Sequence, residues 1–373
     1  MNVRTATQNR LGPYPENGLA ACLLRGSDYL SKPLFALCES YQWIRNIDRL
    51  YTTESAFMRG VRKVALVFQM VFLSLAVPVC LLPAFFLRGI GNCFLKHEFL
   101  YEQGTPSEKL LDENQRAFTL LSWNVCCIPG FSLESGVMPY PSRIERVAQR
   151  IIQESCDVVC LYEVFDNIAA GQMHKALAAS GYAHFYFNIG PRNLGLNSGL
   201  FVASKFAVQN PQFIPFKNNK QIERGAFSFD LLSAQSRFAR VFTTHLHSSE
   251  ISTAPKAEEI AMRKEQMERI IEELPKEEIC TVIAGDLNLD DEELKNSSWH
   301  TRFDQGEISG GKSWGSYSDG LNLDHVMLVK NPTLLIQTVV KEVGFDPDQL
   351  KEEALSDHAI LCTHVRAPRS PSQ

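Results

Sequence analysis

Several things are missing from this chain, and each absence narrows what it can do. Ten cysteines are present, yet no C-x-x-C pair occurs and no spacing matches a paired zinc framework. That argues against a structural zinc module. It leaves Cys126, Cys156, Cys160, Cys280 and Cys362, all inside apolar runs, as small buried hydrophobes. Free core thiols favour a reducing compartment. No internal repeat is present. Positive charge is also short where it would matter most. The net charge is −5, and residues 117–366 carry 23 Lys and Arg against 32 Asp and Glu. Residues 1–116 carry 13 against 10. The second region is therefore a poor electrostatic platform for nucleic acid.

Two motif matches lack their context. Gly306 to Ser313 (GEISGGKS) fits the G-x-x-x-x-G-K-[ST] pattern, but HTRFDQ before it is no buried strand and Trp314-Gly315-Ser316 after it opens no helix. Asp286-x-Asn288-x-Asp290 begins like a calcium loop, but Asp291 stands where glycine is needed and Ser297 where the closing glutamate belongs. Neither is read as a binding site.

What is present divides the chain. Val64 to Leu87 is a run of 24 residues without a formal charge. As a helix it would reach about 36 Å, and ~20 apolar residues suffice to cross a bilayer. It begins too far into the chain to be a signal-peptide core. Pro78 and Pro83 are expected to kink it or split it into a re-entrant pair. The expected organisation is an N-terminal region of unassigned role (1–62) with short helices, a hydrophobic membrane segment (63–90), a linker (91–116), a catalytic-type domain (117–366) and a tail (367–373). From Ala117 onward, short apolar strands interleave with amphipathic helices. Ser142 and Glu145 form an S-x-x-E capping box at the head of a helix running to about Glu154. Pro255 to Leu274 reads as a long helix with Ile260, Met267, Ile270 and Leu274 on its inner face. The pattern predicts an α/β (α+β) domain: two packed sheets flanked by helices, preceded by a membrane-associated helical region.

The chemistry gathers where polar residues interrupt strand ends. Thr281 to Asp290 (TVIAGDLNLD) is the clearest case: an apolar strand, then Asp286 and Asn288 two residues apart, able to face one side. An Asx turn explains this stretch equally well when it is read alone. Asn124 in LSWNV, Glu163 in CLYEV, His245 in TTHLH, Asp324 in NLDHV and Asp357-His358 in LSDHA repeat the pattern. Together they supply one reaction. Glu163 with another oxygen donor can hold Mg²⁺. Asp324 can orient His358 so that its other nitrogen takes a proton from water. Asp286 and Asn288 can position that water or the oxyanion, and His245 can donate to a phosphate oxygen.

The ordered set WN…YEV…SGL-x-x-x-SK…THLH…GDLN…LDHV…SDH resembles the endonuclease/exonuclease/phosphatase (DNase I-like) superfamily over roughly residues 117–366. The resemblance implies a four-layered α/β sandwich with mainly antiparallel sheets, and cleavage of a phosphoester with Mg²⁺, or Mn²⁺ in its place. It implies Glu163 as main metal ligand with Asn124 beside it, and Asp357 as a further carboxylate of the metal or phosphate site. Asp286 and Asn288 would handle water and phosphate, His358 would be general base oriented by Asp324, and His245 would stabilise the phosphate. Two positions depart from the family pattern: Tyr162 stands where Gln is common before the metal-binding Glu, and His325 follows Asp324 where an aromatic residue is common.

The W-x-G-D-x-N-[FY]-R and W-C-D-R stretches of the inositol-polyphosphate 5-phosphatases are absent. SGLFVASKFAV and TTHLHSSE are similar to the neutral sphingomyelinase branch, and an attached membrane segment suits a lipid substrate. The reading is thus a sphingomyelinase-like phosphodiesterase at a membrane. The alternatives are a nuclease or phosphoinositide phosphatase of the same superfamily, and a catalytically inert, membrane-tethered binding module.

Overall fold

A strand buried on both faces sends alternate side chains to opposite layers, and that rule builds this molecule. The computed structural model describes residues 18–94, 98–104, 117–191, 196–217, 223–233, 236–249, 255–331 and 333–366. Its strands are β1 (Leu100–Gln103), β2 (Phe118–Cys127), β3 (Val158–Val164), β4 (His184–Phe187), β5 (Phe201–Ser204), β6 (Ala207–Pro215), β7 (Gly225–Ser233), β8 (Ser236–His245), β9 (Cys280–Asp286), β10 (Phe303–Asp304), β11 (Glu307–Ser309), β12 (Asp324–Val329), β13 (Leu335–Lys341) and β14 (Ile360–Arg366). Its helices are α1 (Gly18–Leu50), α2 (Ala56–Cys93), α3 (Ile144–Glu154), α4 (Asn167–Ala178), α5 (Ala257–Glu272) and α6 (Asp291–Asn296).

The strands form an eight-stranded sheet in the order β1-β4-β5-β3-β2-β14-β13-β11 and a six-stranded sheet in the order β10-β12-β9-β8-β7-β6. Among the described pairs only β2–β3, β8–β9 and β11–β13 run parallel. Between the sheets lies one core of Leu120, Val158, Cys160, Phe227, Phe229, Val241, Val282, Ala284, Val326 and Leu328. The intervening positions face outward. Leu121, Trp123, Leu161 and Val159 pack under Val147 and Ile151 of α3 and Met173 of α4. Ile283 and Met327 pack under Met267 and Ile270 of α5. The result is helix, sheet, sheet, helix: the expected four-layered sandwich with mainly antiparallel sheets.

Several local expectations are corrected. Within residues 1–62, Gly18–Leu50 is one long helix, α1, in place of the short ones expected. Pro78 and Pro83 do not break the apolar run, which lies within the continuous 38-residue α2. The stretch 91–116 is not wholly a linker, because β1 pairs antiparallel with β4 at the edge of the large sheet. Ser142 caps nothing. A single 3₁₀ turn, Tyr140–Ser142, precedes α3, the N-cap position falls to Arg143, and the Ser142 hydroxyl donates to the Pro139 carbonyl at 2.9 Å. On α5, Ile260 faces solvent, and the buried Arg263 takes the inner position, pairing with Glu293 at 2.6 Å.

α1 lies between α2 and the sandwich. A methyl group on Gly130 would come within 2.7 Å of the Phe35 carbonyl, so the loop after β2 is pressed against α1. Gln42 donates to Glu134 at 3.2 Å and Arg49 to the Pro347 carbonyl at 3.0 Å. α2 packs on α1 and turns Val64, Val67, Phe68, Val71, Phe72, Leu75, Val79, Leu82 and Phe86 outward; Phe68 and Phe72 are each 72% exposed. Among the described residues it is the one helix long and apolar enough to cross a membrane.

Candidate active site

The alternation that builds the inter-sheet core continues past its apolar part and ends in polar residues. On β8, His245 shares the parity of Ala239 and Val241; on β9, Asp286 shares that of Val282 and Ala284; on β12, Asp324 shares that of Val326 and Leu328. These three strands are neighbours, and the register sets His245 opposite Asp286 and Asp286 opposite Asp324. The six-stranded sheet thus presents a row of one imidazole and two carboxylates at one end of the gap.

The eight-stranded sheet answers from across the gap. Asn124 has the inter-sheet parity of Leu120 and Ser122 on β2, and its amide donates to Asp286 Oδ2 at 2.9 Å. Its Oδ1 accepts the Cys126 amide N–H at 3.0 Å. Glu163 has the parity of Val159 and Leu161, which point to the outer layer. It escapes that fate by its backbone: φ is +62°, a left-handed conformation that breaks the alternation at the strand end. Cys126 (φ +48°) and Asn288 (φ +52°) carry the same kind of turn beside the site. Such conformations persist only where their surroundings hold them.

His358, just ahead of β14, completes the cluster. Its Nδ1 lies 2.8 Å from Asp324 Oδ2 and its Nε2 3.7 Å from Asp286 Oδ2. Three contacts fix its position. Trp123 Nε1 donates to the His358 carbonyl at 2.8 Å, the His358 amide N–H donates to Ser356 Oγ at 3.2 Å, and Ser356 Oγ donates to the Asn124 carbonyl at 2.6 Å. Asp324 is set by Ser313, whose Oγ accepts its backbone N–H at 3.0 Å. His245 Nε2 stands 3.4 Å from Asp286 Oδ2. Asp286, Asp324, His245 and His358 are all buried.

Burying so many acids together has electrostatic consequences. Burial, then the neighbouring Asp357, raises the Glu163 carboxyl to about 7, with Asn124 opposing as a hydrogen-bond partner. Burial and Asp324 raise Asp286 to about 6. For His358 burial pushes the pKa down, but Asp324, Asp286 and Asp357 outweigh it and lift it well above the ordinary histidine value. His245 goes the opposite way: burial, helped by Arg224 and His358, lowers it well below that value and holds it neutral.

All eight expected residues therefore lie at one end of the sandwich. Asp286, Asp324, His245, His358 and Asn124 are directly linked. Glu163 and Asp357 are both partly exposed, and Glu163 feels the charge of Asp357 and a hydrogen bond from Asn124. Asn288 is turned away from a purely solvent-facing role: its amide N–H donates to Asp286 Oδ1 at 3.1 Å and its side chain to the Leu246 carbonyl at 3.2 Å. The Asx turn exists, and it leaves Asp286 Oδ2 for the site. Tyr162, in the place of the more common Gln, is a buried core residue whose hydroxyl meets Ser122 Oγ at 2.8 Å. His325 points into the outer layer, with Nε2 2.7 Å from the Leu289 carbonyl.

Two residues escaped the sequence reading. Arg224, one residue before β7, is buried and donates to the carbonyls of His245 and Leu246, and its charge acts on Glu163 and Asp286. It carries the signal that marked the others, a charge at the edge of an apolar strand. Arg143 is fully buried and joins the carbonyls of Val125 and Cys126, at the end of β2, to that of Leu355, ahead of His358. Nothing in its local sequence separates it from a solvated helix residue.

The residues fit a divalent cation. Glu163 and Asp357 form an oxygen-only set whose mutual repulsion a cation would relieve. A second set, Asp286, Asp324 and His358, has its donor atoms within 4.8 Å of one another. His358 Nδ1 is already engaged with Asp324, and the carboxylates favour its protonated, non-ligating form. The Glu163 side is the better match. Asn124, as oriented, turns its amide nitrogen toward Asp286.

The model of the Endonuclease/Exonuclease/phosphatase family matches residues 121–358. Sphingomyelin phosphodiesterase 5 of Danio rerio is 29% identical over 180 residues, covering 40% of this chain and 32% of the relative, so the match spans about a third of that protein's length. Among solved structures, a variant of beta toxin from Staphylococcus aureus with bound magnesium ions has a TM-score of 0.50 at 18% identity, covering 67% of this chain and 99% of its own. ANGEL2, a 2′,3′-cyclic phosphatase in complex with adenosine-2′,3′-vanadate, has a TM-score of 0.51 at 13% identity, covering 73% and 99%. At such identities these structures speak for the fold alone.

Proposed function

Because the chain belongs to the endonuclease/exonuclease/phosphatase family, whose members hydrolyse phosphoester bonds, we propose that it is a Mg²⁺-dependent phosphodiesterase of the phospholipase C type acting on a sphingomyelin-like lipid. The observation that carries the chemistry is the His358–Asp324 pair, 2.8 Å apart and facing Asp286. With Nδ1 held by Asp324, His358 keeps Nε2 for proton transfer. In the neutral form it takes a proton from a water placed by Asp286 and Asn288. The water oxygen bonds to phosphorus, the P–O bond to the lipid alcohol breaks on the opposite side, and the departing alkoxide takes a proton from solvent. His245, held neutral, donates its single N–H to a phosphate oxygen, and Arg224 keeps the His245–Leu246 backbone in place. Glu163 and Asp357, with Asn124 beside them, would hold the cation, Mg²⁺ or Mn²⁺. When bound it would polarise the phosphoester and offset the carboxylate field on His358.

The lipid reading rests on α2. A helix with its apolar face in the open, attached to a phosphoesterase domain over residues 117–366, suits a substrate that sits in a bilayer. The Danio rerio likeness supports it. The test is a substrate panel with Mg²⁺ and with EDTA: sphingomyelin, phosphatidylcholine and phosphoinositide vesicles, plasmid DNA and abasic DNA. Phosphocholine release from sphingomyelin that stops in EDTA is expected. Plasmid nicking without lipid cleavage would move the protein to a nuclease branch, and silence on every substrate would make it an inert binding module.

A further inference from the structure

The left-handed turn at Glu163 is held from behind. The next residue, Val164, donates its N–H to the Gly199 carbonyl at 2.9 Å. Gly199 sits against this turn with φ +80°, and a Cβ there would stand 3.2 Å from Glu163 Cα and 2.7 Å from the Phe165 ring. Its own N–H is held by Asn197 Oδ1 at 2.7 Å. The Asn197 amide donates to the Phe165 carbonyl at 2.8 Å and to Asn188 Oδ1 at 3.0 Å. Asn188, itself at φ +49°, donates to Asn167 Oδ1 at the start of α4. The Asn167 amide donates to Asp28 on α1, and Asp28 also accepts the guanidinium of Arg88 on α2. Asn188 and Asn197 are buried, so amides that cost free energy when unpaired are here paired end to end.

We propose that Asn197, Asn188, Asn167 and Asp28 are positioning residues for Glu163: a polar strut through which the α1–α2 hairpin sets the carboxylate that binds the cation. The proposal rests on Glu163 being the metal ligand. The other described ties from α1, Gln42 to Glu134 and Arg49 to the Pro347 carbonyl, end on loops that do not carry Glu163. Losing a residue that orients a metal ligand typically weakens binding about 10–100-fold, and the lower end applies to a strut acting through the backbone.

The experiment is Mn²⁺ binding to the full chain in detergent, followed by the electron paramagnetic resonance of free Mn²⁺, with thermal unfolding of each variant measured in parallel. Asn167→Ala and Asp28→Ala are expected to weaken Mn²⁺ about tenfold, while Gln42→Ala, which cuts a neighbouring tie of the same helix, binds as the wild type does. Asn167 is partly exposed, so its truncation carries the test even if Asp28→Ala does not fold. Wild-type affinity in Asn167→Ala, alongside lost binding in Glu163→Gln, overturns the strut and leaves the site reading standing. Equal weakening in Gln42→Ala overturns the specific path. Wild-type affinity in Glu163→Gln removes the metal assignment and the strut with it.

Discussion

The sandwich and the helical hairpin spend their apolar side chains in opposite ways. In the sandwich, Trp123, Phe227 and Ile283 are fully buried between layers, and the polar residues that follow them along the strands are driven to the sheet ends, where they meet. In the hairpin, α2 is nearly all apolar and keeps a row of large side chains in the open. One region uses the hydrophobic effect to hold a polar site in place; the other leaves its apolar face uncovered, as the proposed membrane segment requires. Two kinds of substitution should separate them.

The largest effects belong to the site. His358→Ala should lower kcat by about 10²–10⁴-fold, the usual loss for a general base, with little change in the thermal midpoint. A comparable fall in stability would mean that the histidine is structural. Next comes the core. Trp123→Ala, opening a cavity between β2 and α3, should cost about 3–5 kcal/mol of unfolding free energy, read by denaturant titration. The hairpin behaves differently: Phe72→Ala on α2 should stay within about 0.5 kcal/mol in detergent. Phe68→Glu with Phe72→Glu should instead release the protein from sphingomyelin vesicles in a flotation assay while sparing hydrolysis of a water-soluble phosphodiester. Loss of both would show that the two regions are not separable in this way.

A smaller effect concerns pH. As the proposed base, His358 can act only when neutral, and its carboxylate neighbours raise its pKa, so activity should rise with pH through that raised value. Adding Mg²⁺ opposes the carboxylate field and should move the rising limb of kcat/KM to lower pH. A limb indifferent to Mg²⁺ would place the cation away from this histidine.

How far the molecule was legible in its sequence depends on how local the signal was. Asp286, Asp324 and His245 could be read because strand alternation runs unbroken to them. Glu163 could be named but not aimed, since the alternation points it outward and a backbone turn brings it back. β6 has no unbroken strand pattern because Asn210 and Pro211 interrupt it; it lies at a sheet edge with an irregular register between Gln209 and Gln212, where proline is tolerated. β1 has no local pattern and exists through its pairing with β4. Arg143 and the start of α3 depend on carbonyls brought from distant segments. α2 runs unbroken through Pro78 and Pro83, both on its exposed side, although the local cost of each proline favours a kink or break.

The most direct measurement is sphingomyelin hydrolysis by the full chain in ¹⁸O-labelled water with Mg²⁺, analysed by mass spectrometry. Attack of a His358-activated water on phosphorus predicts one ¹⁸O in the released phosphocholine and none in the lipid alcohol, with no turnover by His358→Ala. Label in the lipid alcohol, or undiminished release by His358→Ala, would contradict the account.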